Sequence, residues 1–143
     1  MSAYLNFLTG SSEGGDANFT SGTLVDLVAS YDISEKVTVA LNAADYTQAL
    51  DGGYSGVALY PRYNFSENFG LGVRGEYFKN KDIGDEAGAS VTAFTLSARL
   101  KHGGLSVIPE LRLDNNNQSA FMKKDGSATR QASQASIALV YAF

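Results

Sequence analysis

The feature that most limits this chain's fold is alternation: in stretch after stretch, every second side chain is apolar. In TLVDLVASY, Thr23, Val25, Leu27, Ala29 and Tyr31 fall on one side, and Leu24, Asp26, Val28 and Ser30 on the other. KVTVALNAAD, SGVALYPRY, FGLGVRGEYF, AFTLSARLK and LSVIPELRLD repeat the pattern, and the chain ends on it with Ile137, Leu139, Tyr141 and Phe143. Residues two apart share a face in a β-strand, not in a helix. A weaker first strand around Ala3 to Thr9 and a last one over Gln134 to Phe143 bring the count to eight. No stretch carries a 3.6-residue apolar period. The 15 Gly, 2 Pro, 8 Tyr and 8 Phe suit strands joined by tight turns. The sequence reads as all-β, a single domain over residues 1–143.

The connections alternate in length. GSSEGGDAN, TQALDGGY, KNKDIGDEAGAS and the stretch from Asn115 to Arg130 are long and polar, whereas DISE, NFSEN and KHGG are short. Long loops at one end and short turns at the other match an outer-membrane barrel, and strands near ten residues match a tilted crossing of hydrocarbon. An internal repeat supports the register: Tyr31-Asp32-Ile33-Ser34-Glu35-Lys36-Val37 aligns with Tyr63-Asn64-Phe65-Ser66-Glu67-Asn68-Phe69. Pro61 and Pro109 sit inside strands, where each removes a ladder donor, a conflict that a bulge beside each would resolve.

Two barrels fit such alternation. A soluble lipocalin-like carrier turns its apolar face inward, and a membrane barrel turns it outward. The polar face decides for the membrane. It carries Gly, Ala, Ser, Thr and a few Arg and Glu, which suits a narrow interior better than a soluble surface. Tyr31, Tyr63, Phe69, Tyr141 and Phe143 lie near the short-turn ends, as an interfacial girdle does. The expected fold is an eight-stranded antiparallel up-and-down transmembrane β-barrel. Arg62, Arg74, Glu76, Arg99, Glu110 and Arg112 fall on its lumen face, where they either form an ion-selecting constriction or fill the interior.

Other chemistry is poorly supplied. There is no Cys, hence no disulfide or thiolate zinc site, and a formal charge of −4 argues against a nucleic-acid partner. The one histidine, His102, falls in a short turn without a nucleophile or orienting acid beside it. Asp82, Asp85, Glu86 and the run from Asp114 to Asn117 could offer oxygen ligands to a divalent cation, but their spacing is that of solvated loops. No cofactor, metal or enzymatic activity is implied. The opening MSAYLNFLTG lacks the charged and apolar regions of a signal peptide, leaving a cytosolic protein or a mature form whose leader Met1 replaces.

The last strand resembles the C-terminal signal read by the outer-membrane barrel assembly machinery, with Ser136, then Ala138 where Gly is usual, then Tyr141 and Phe143. Ala3 to Gly10, Leu59-Tyr60-Pro61-Arg62-Tyr63, Gly72 to Phe78 and Pro109 to Asp114 together resemble the porin-2 (OmpL-like) barrel family. Members of that family are longer, and the chain is similar to their C-terminal part. The resemblance implies a bacterial outer-membrane location. The expected partners are outer-membrane lipid or detergent and the assembly machinery, and the expected state is a non-enzymatic monomer with at best weak conductance. A loop-mediated binding or adhesion barrel is the alternative.

Overall fold

A computed structural model describes residues 1–10, 21–48 and 51–143. The loop GSSEGGDAN after Gly10 and part of TQALDGGY lie outside the described residues. Eight strands form one antiparallel sheet: β1 (Ser2–Gly10), β2 (Gly22–Asp32), β3 (Val37–Gln48), β4 (Gly53–Asn64), β5 (Phe69–Asn80), β6 (Ser90–His102), β7 (Leu105–Asn116) and β10 (Gln131–Tyr141). Each pairs with its sequence neighbour, in the order β1-β2-β3-β4-β5-β6-β7-β10. A small hairpin of β8 (Phe121–Met122) and β9 (Ala128–Thr129) stands within the last long connection, where only a loop is expected from sequence. The eight strands fall where alternation places them. The sheet is not closed, however: β1 and β10 are its two edges and do not pair with each other.

Two features mark the sheet as a tilted, curved wall. A row of direct partners runs Leu5, Leu27, Ala43, Val57, Tyr77, Thr92, Asn115, Gln131. It climbs from the fourth residue of β1 to the eleventh of β10, both counted from the short-turn end. One residue of stagger per strand, with a rise of about 3.3 Å and a strand spacing of about 4.8 Å, corresponds to a tilt of about 35°. The second feature is unequal shelter. In β6, Ala93 and Thr95 are 3 % exposed, while the alternating Phe94 and Leu96 are 50 % and 42 % exposed. The sheltered face of a single-layer sheet is its concave one. The polar side is therefore concave and the apolar side convex, the reverse of a soluble carrier.

Sequence explains the turns. Ser34 Oγ accepts from the backbone N–H of Lys36 and Val37, and Ser66 Oγ accepts from Asn68 and Phe69. Ile33 and Ser34 both donate to the Val37 carbonyl, as Phe65 and Ser66 do to that of Phe69. The internal repeat is thus one turn built twice. The third short turn needs Gly103 at φ 58°, where an L side chain is strained.

The prolines are accommodated without a bulge. Between β4 and β5 the ladder runs to Leu59↔Gly75 and resumes at Arg62↔Gly72. Between β6 and β7 it runs to Ser97↔Glu110 and resumes at Leu100↔Val107. No residue is added in either gap, so the register is unchanged. On their other sides Pro61 pairs with Val39 and Pro109 with Ile137. A proline ring has no N–H to give, and two rungs open on one side without any need to insert a residue.

Candidate functional site

The concave face carries the charges. Cross-strand partners share a face, and the pairs Arg62↔Gly72, Arg74↔Thr95, Glu76↔Ala93, Gly70↔Arg99, Thr95↔Arg112 and Ser97↔Glu110 place all six expected lumen charges on it. The structure divides them into a bonded centre and flanking groups. At the centre, Glu76 of β5 holds two guanidiniums. Its Oε2 lies 2.9 Å from Arg74 Nε, and its Oε1 accepts from Arg112 Nη2 of β7, across the width of β6. Arg112 Nε also donates to Asp114 Oδ1 at 2.9 Å, and Arg74 Nη2 to Thr95 Oγ1 at 3.3 Å.

Arg99 stands apart from this centre, donating from Nη2 to Asn64 Oδ1 at 3.3 Å. Among the described residues Arg62 and Glu110 form no ion pair, and both line the cleft of about 300 Å³ that Arg74, Thr95 and Ser97 also border. Charged groups facing water across a concave surface bias which ions approach it.

Two acids of this face are not assigned to the charge cluster by sequence reasoning. Asp114 belongs to a DNNN run that resembles a loop, yet it pairs with Ala93 and Ala132 on the concave face and binds Arg112. Its position two residues after Arg112, on the same face, is the available signal. Asp26 forms a second polar knot, accepting from Asn6 at 2.9 Å and Asn42 at 3.0 Å. Of the loop acids singled out from sequence, Asp82 ties down its own loop. Asp82 accepts from the Gly88 N–H at 2.9 Å and lies 3.4 Å from Lys79 Nζ. These contacts, the backbone bond foremost, keep its carboxyl below the usual carboxylate range. His102 ends β6 opposite Leu105, exposed beside the Gly103–Gly104 turn.

The convex face is continuous and apolar. Leu5, Leu27, Leu41, Leu59, Leu71, Val73, Leu96, Leu111 and Ile137 run across it, with aromatics gathered at the short-turn end. There the rings of Tyr63 and Phe65 meet edge to face at 4.7 Å, and Phe65 stacks on Phe69 at 5.2 Å. Tyr141 is on the same face through its pairing with Leu105, and its ring lies 6.4 Å from that of Phe143. Ser136 and Ala138 face the concave side, opposite Glu110 and Ile108.

These features define a class: an antiparallel, tilted barrel-type wall with an apolar convex surface and a charged concave one. Within that class, the chain belongs to the family described as "Putative beta-barrel porin-2, OmpL-like", whose model matches residues 1–143, the whole chain. No curated protein and no solved structure matches it.

Proposed function

We propose that the protein is a non-enzymatic, porin-like integral β-barrel of the bacterial outer membrane, whose charged concave face borders water and small ions. The observation that carries this reading is the inverted polarity of the sheet. Leu5 and Ile137 are 72 % and 70 % exposed on the convex side, while Arg112 and Glu76 have only 21 % of their side-chain surface exposed on the concave side. Water does not favour that arrangement, and a hydrocarbon solvent does. Strands of eleven to thirteen residues, tilted by about 35°, rise about 30–35 Å, enough to cross an apolar band about 25 Å tall.

Lipid imposes a second condition, that every backbone N–H and C=O in the hydrocarbon be paired. The wall must therefore be completed at β1 and β10. Completed by one chain alone, it leaves an interior that side chains fill, and the Arg–Glu centre makes a plug with weak conductance. In the proposed pathway Tyr141 and Phe143 serve as the address read by the barrel assembly machinery. The test is refolding from urea, with and without detergent or lipid vesicles. Folded β-structure only in the presence of amphiphile supports the reading. A monodisperse folded protein in plain buffer overturns it.

A further inference from the structure

We infer that the concave face holds a saccharide-binding cleft near its long-loop end, where a row of three aromatic rings meets the Glu76–Arg112 pair. The inference rests on the porin-like reading above and names the class of solute that the water-facing side takes.

The rings come from three adjacent central strands. Tyr46 of β3 pairs directly with Tyr54 of β4, and Phe78 of β5 pairs with Gly56, two residues along from Tyr54 on the same face. That face is the concave one, since Phe78 also pairs with Val91, two residues before the sheltered Ala93. Ring centroids lie 5.3 Å apart for Tyr46 and Tyr54 and 5.7 Å apart for Tyr54 and Phe78, with the planes inclined by 36° and 27°. The rings lie against the wall. A methyl group at Gly22 would collide with the Tyr46 ring, and one at Gly56 would meet that of Phe78 at 3.3 Å. Phe78 still keeps 39 % of its surface exposed, although strands flank β5 on both sides. Charges are at home facing water, but an aromatic surface is not. An exposed apolar surface rimmed by polar groups marks a place where something binds.

The rim is supplied by the charged centre. Tyr54 and Phe78 border a cleft of about 450 Å³ that is also lined by Asn42, Tyr60, Glu76 and Arg112. Between the rings and these polar groups the wall carries only Ala44, Gly56 and Ala58, so a flat solute can reach both. Arg112 commits Nε and Nη2 to Asp114 and Glu76, which leaves its Nη1 to donate. Glu76 gives one oxygen to each guanidinium, and each oxygen has a further lone pair to offer.

A sugar ring matches this pairing of surfaces. One side of a pyranose presents C–H bonds whose hydrogens are slightly positive, and the face of an aromatic ring is negative. The edge of the sugar carries hydroxyls, each of which donates and accepts, as a carboxylate and a guanidinium set side by side require. The solute is neutral, because a charged one would have to compete with the Glu76–Arg112 pair, whereas hydroxyls add to it.

The test is saturation-transfer NMR on the chain folded in amine-oxide micelles, a detergent without a sugar headgroup. Irradiation of the tyrosine and phenylalanine ring protons is followed by detection on maltotriose, cellotriose or sucrose. Transfer to the C–H protons of at least one saccharide is expected. Tyr54→Leu and Phe78→Leu should each weaken its binding about tenfold, while Phe78→Tyr, which keeps a ring, and Tyr63→Leu, at the short-turn end of the convex face, leave it unchanged. No transfer to any of the three from chains that circular dichroism shows to be folded would overturn the inference and leave the porin-like reading intact. Transfer that survives both Leu substitutions would overturn the site. Transfer to adenosine, tested in the same way, with none to the saccharides would overturn the assigned class of solute. A chain that stays unfolded in every amphiphile refutes both readings.

Discussion

Replacing Leu96 by Arg tests the assignment of lipid to the convex face at its deepest point. Leu96 is the seventh of thirteen residues in β6 and pairs with Val73 and Leu111, so it marks the middle of the wall. With a tilt of about 35°, each residue advances about 2.7 Å along the membrane normal, and Leu100 lies about 11 Å from the level of Leu96. In an apolar band about 25 Å tall, Leu100 is near the edge. Arg costs about 2–4 kcal/mol at the midplane of a barrel and about 0–1 near the interface. Leu96→Arg is therefore expected to lose about 2–4 kcal/mol and Leu100→Arg at most about 1, with Leu71→Arg between them, since Leu71 pairs with Ala98. The assay is urea unfolding in lipid vesicles followed by circular dichroism, comparing midpoints at constant slope. Equal costs at the three sites, or costs that appear equally in plain buffer, would refute the depth argument.

Three further outcomes follow from the described contacts. Glu76→Ala removes the carboxylate shared by Arg74 and Arg112 and should cost about 1–2 kcal/mol, tempered because these groups keep a fifth to a third of their surface exposed. It should also shift the reversal potential toward anions, and an unchanged potential in a salt gradient would remove Glu76 from the ion path. Gly53→Ala places a methyl group against the Tyr46 carbonyl at a backbone φ of 118°, so a loss of about 1–3 kcal/mol in urea unfolding is expected, against little change for Gly75→Ala, which meets nothing within 4 Å. Asp125 accepts from the Ser127 hydroxyl and then its N–H, which lowers its pKa below the ordinary value near 4. Its support for the β8–β9 hairpin is thus complete above pH about 4 and lost as pH falls through the folded value, so protease nicking confined to residues 121–129 should rise only under acid conditions.

Strands and faces were legible because a period of two is written into each segment and is enforced by pairing. Once Val25, Leu27 and Ala29 share a face, their partners Phe7, Leu5 and Ala3 must share it too. The repeated Ser34 and Ser66 turns were legible for a similar reason, since a local hydrogen-bond pattern needs only local sequence. What escaped was either short or non-local. Two-residue strands such as Phe121–Met122 hold no period to read. Asp114 looked like a loop acid because its neighbours are asparagines, although the partner that fixes it is two residues back on the same face. At Pro61 and Pro109 the sequence reveals a missing donor, but whether the ladder bulges or skips depends on the neighbouring strand. Closure was the least legible of all. Nothing in the period of β1 or β10 names its partner, and the structure leaves both edges unpaired.

The most direct test of the central claim, that the convex face meets lipid and the concave face meets water, uses the absence of native cysteine to scan β6 with single spin labels in vesicles. Labels at Thr92, Phe94, Leu96, Ala98 and Leu100 should collide with dissolved oxygen, and labels at Ala93, Thr95, Ser97 and Arg99 with a water-soluble nickel chelate. The two accessibilities should alternate at every residue, in opposite phase. A scan in which Leu96 and Phe94 are the positions open to the chelate, or in which no alternation survives in lipid, would contradict the account.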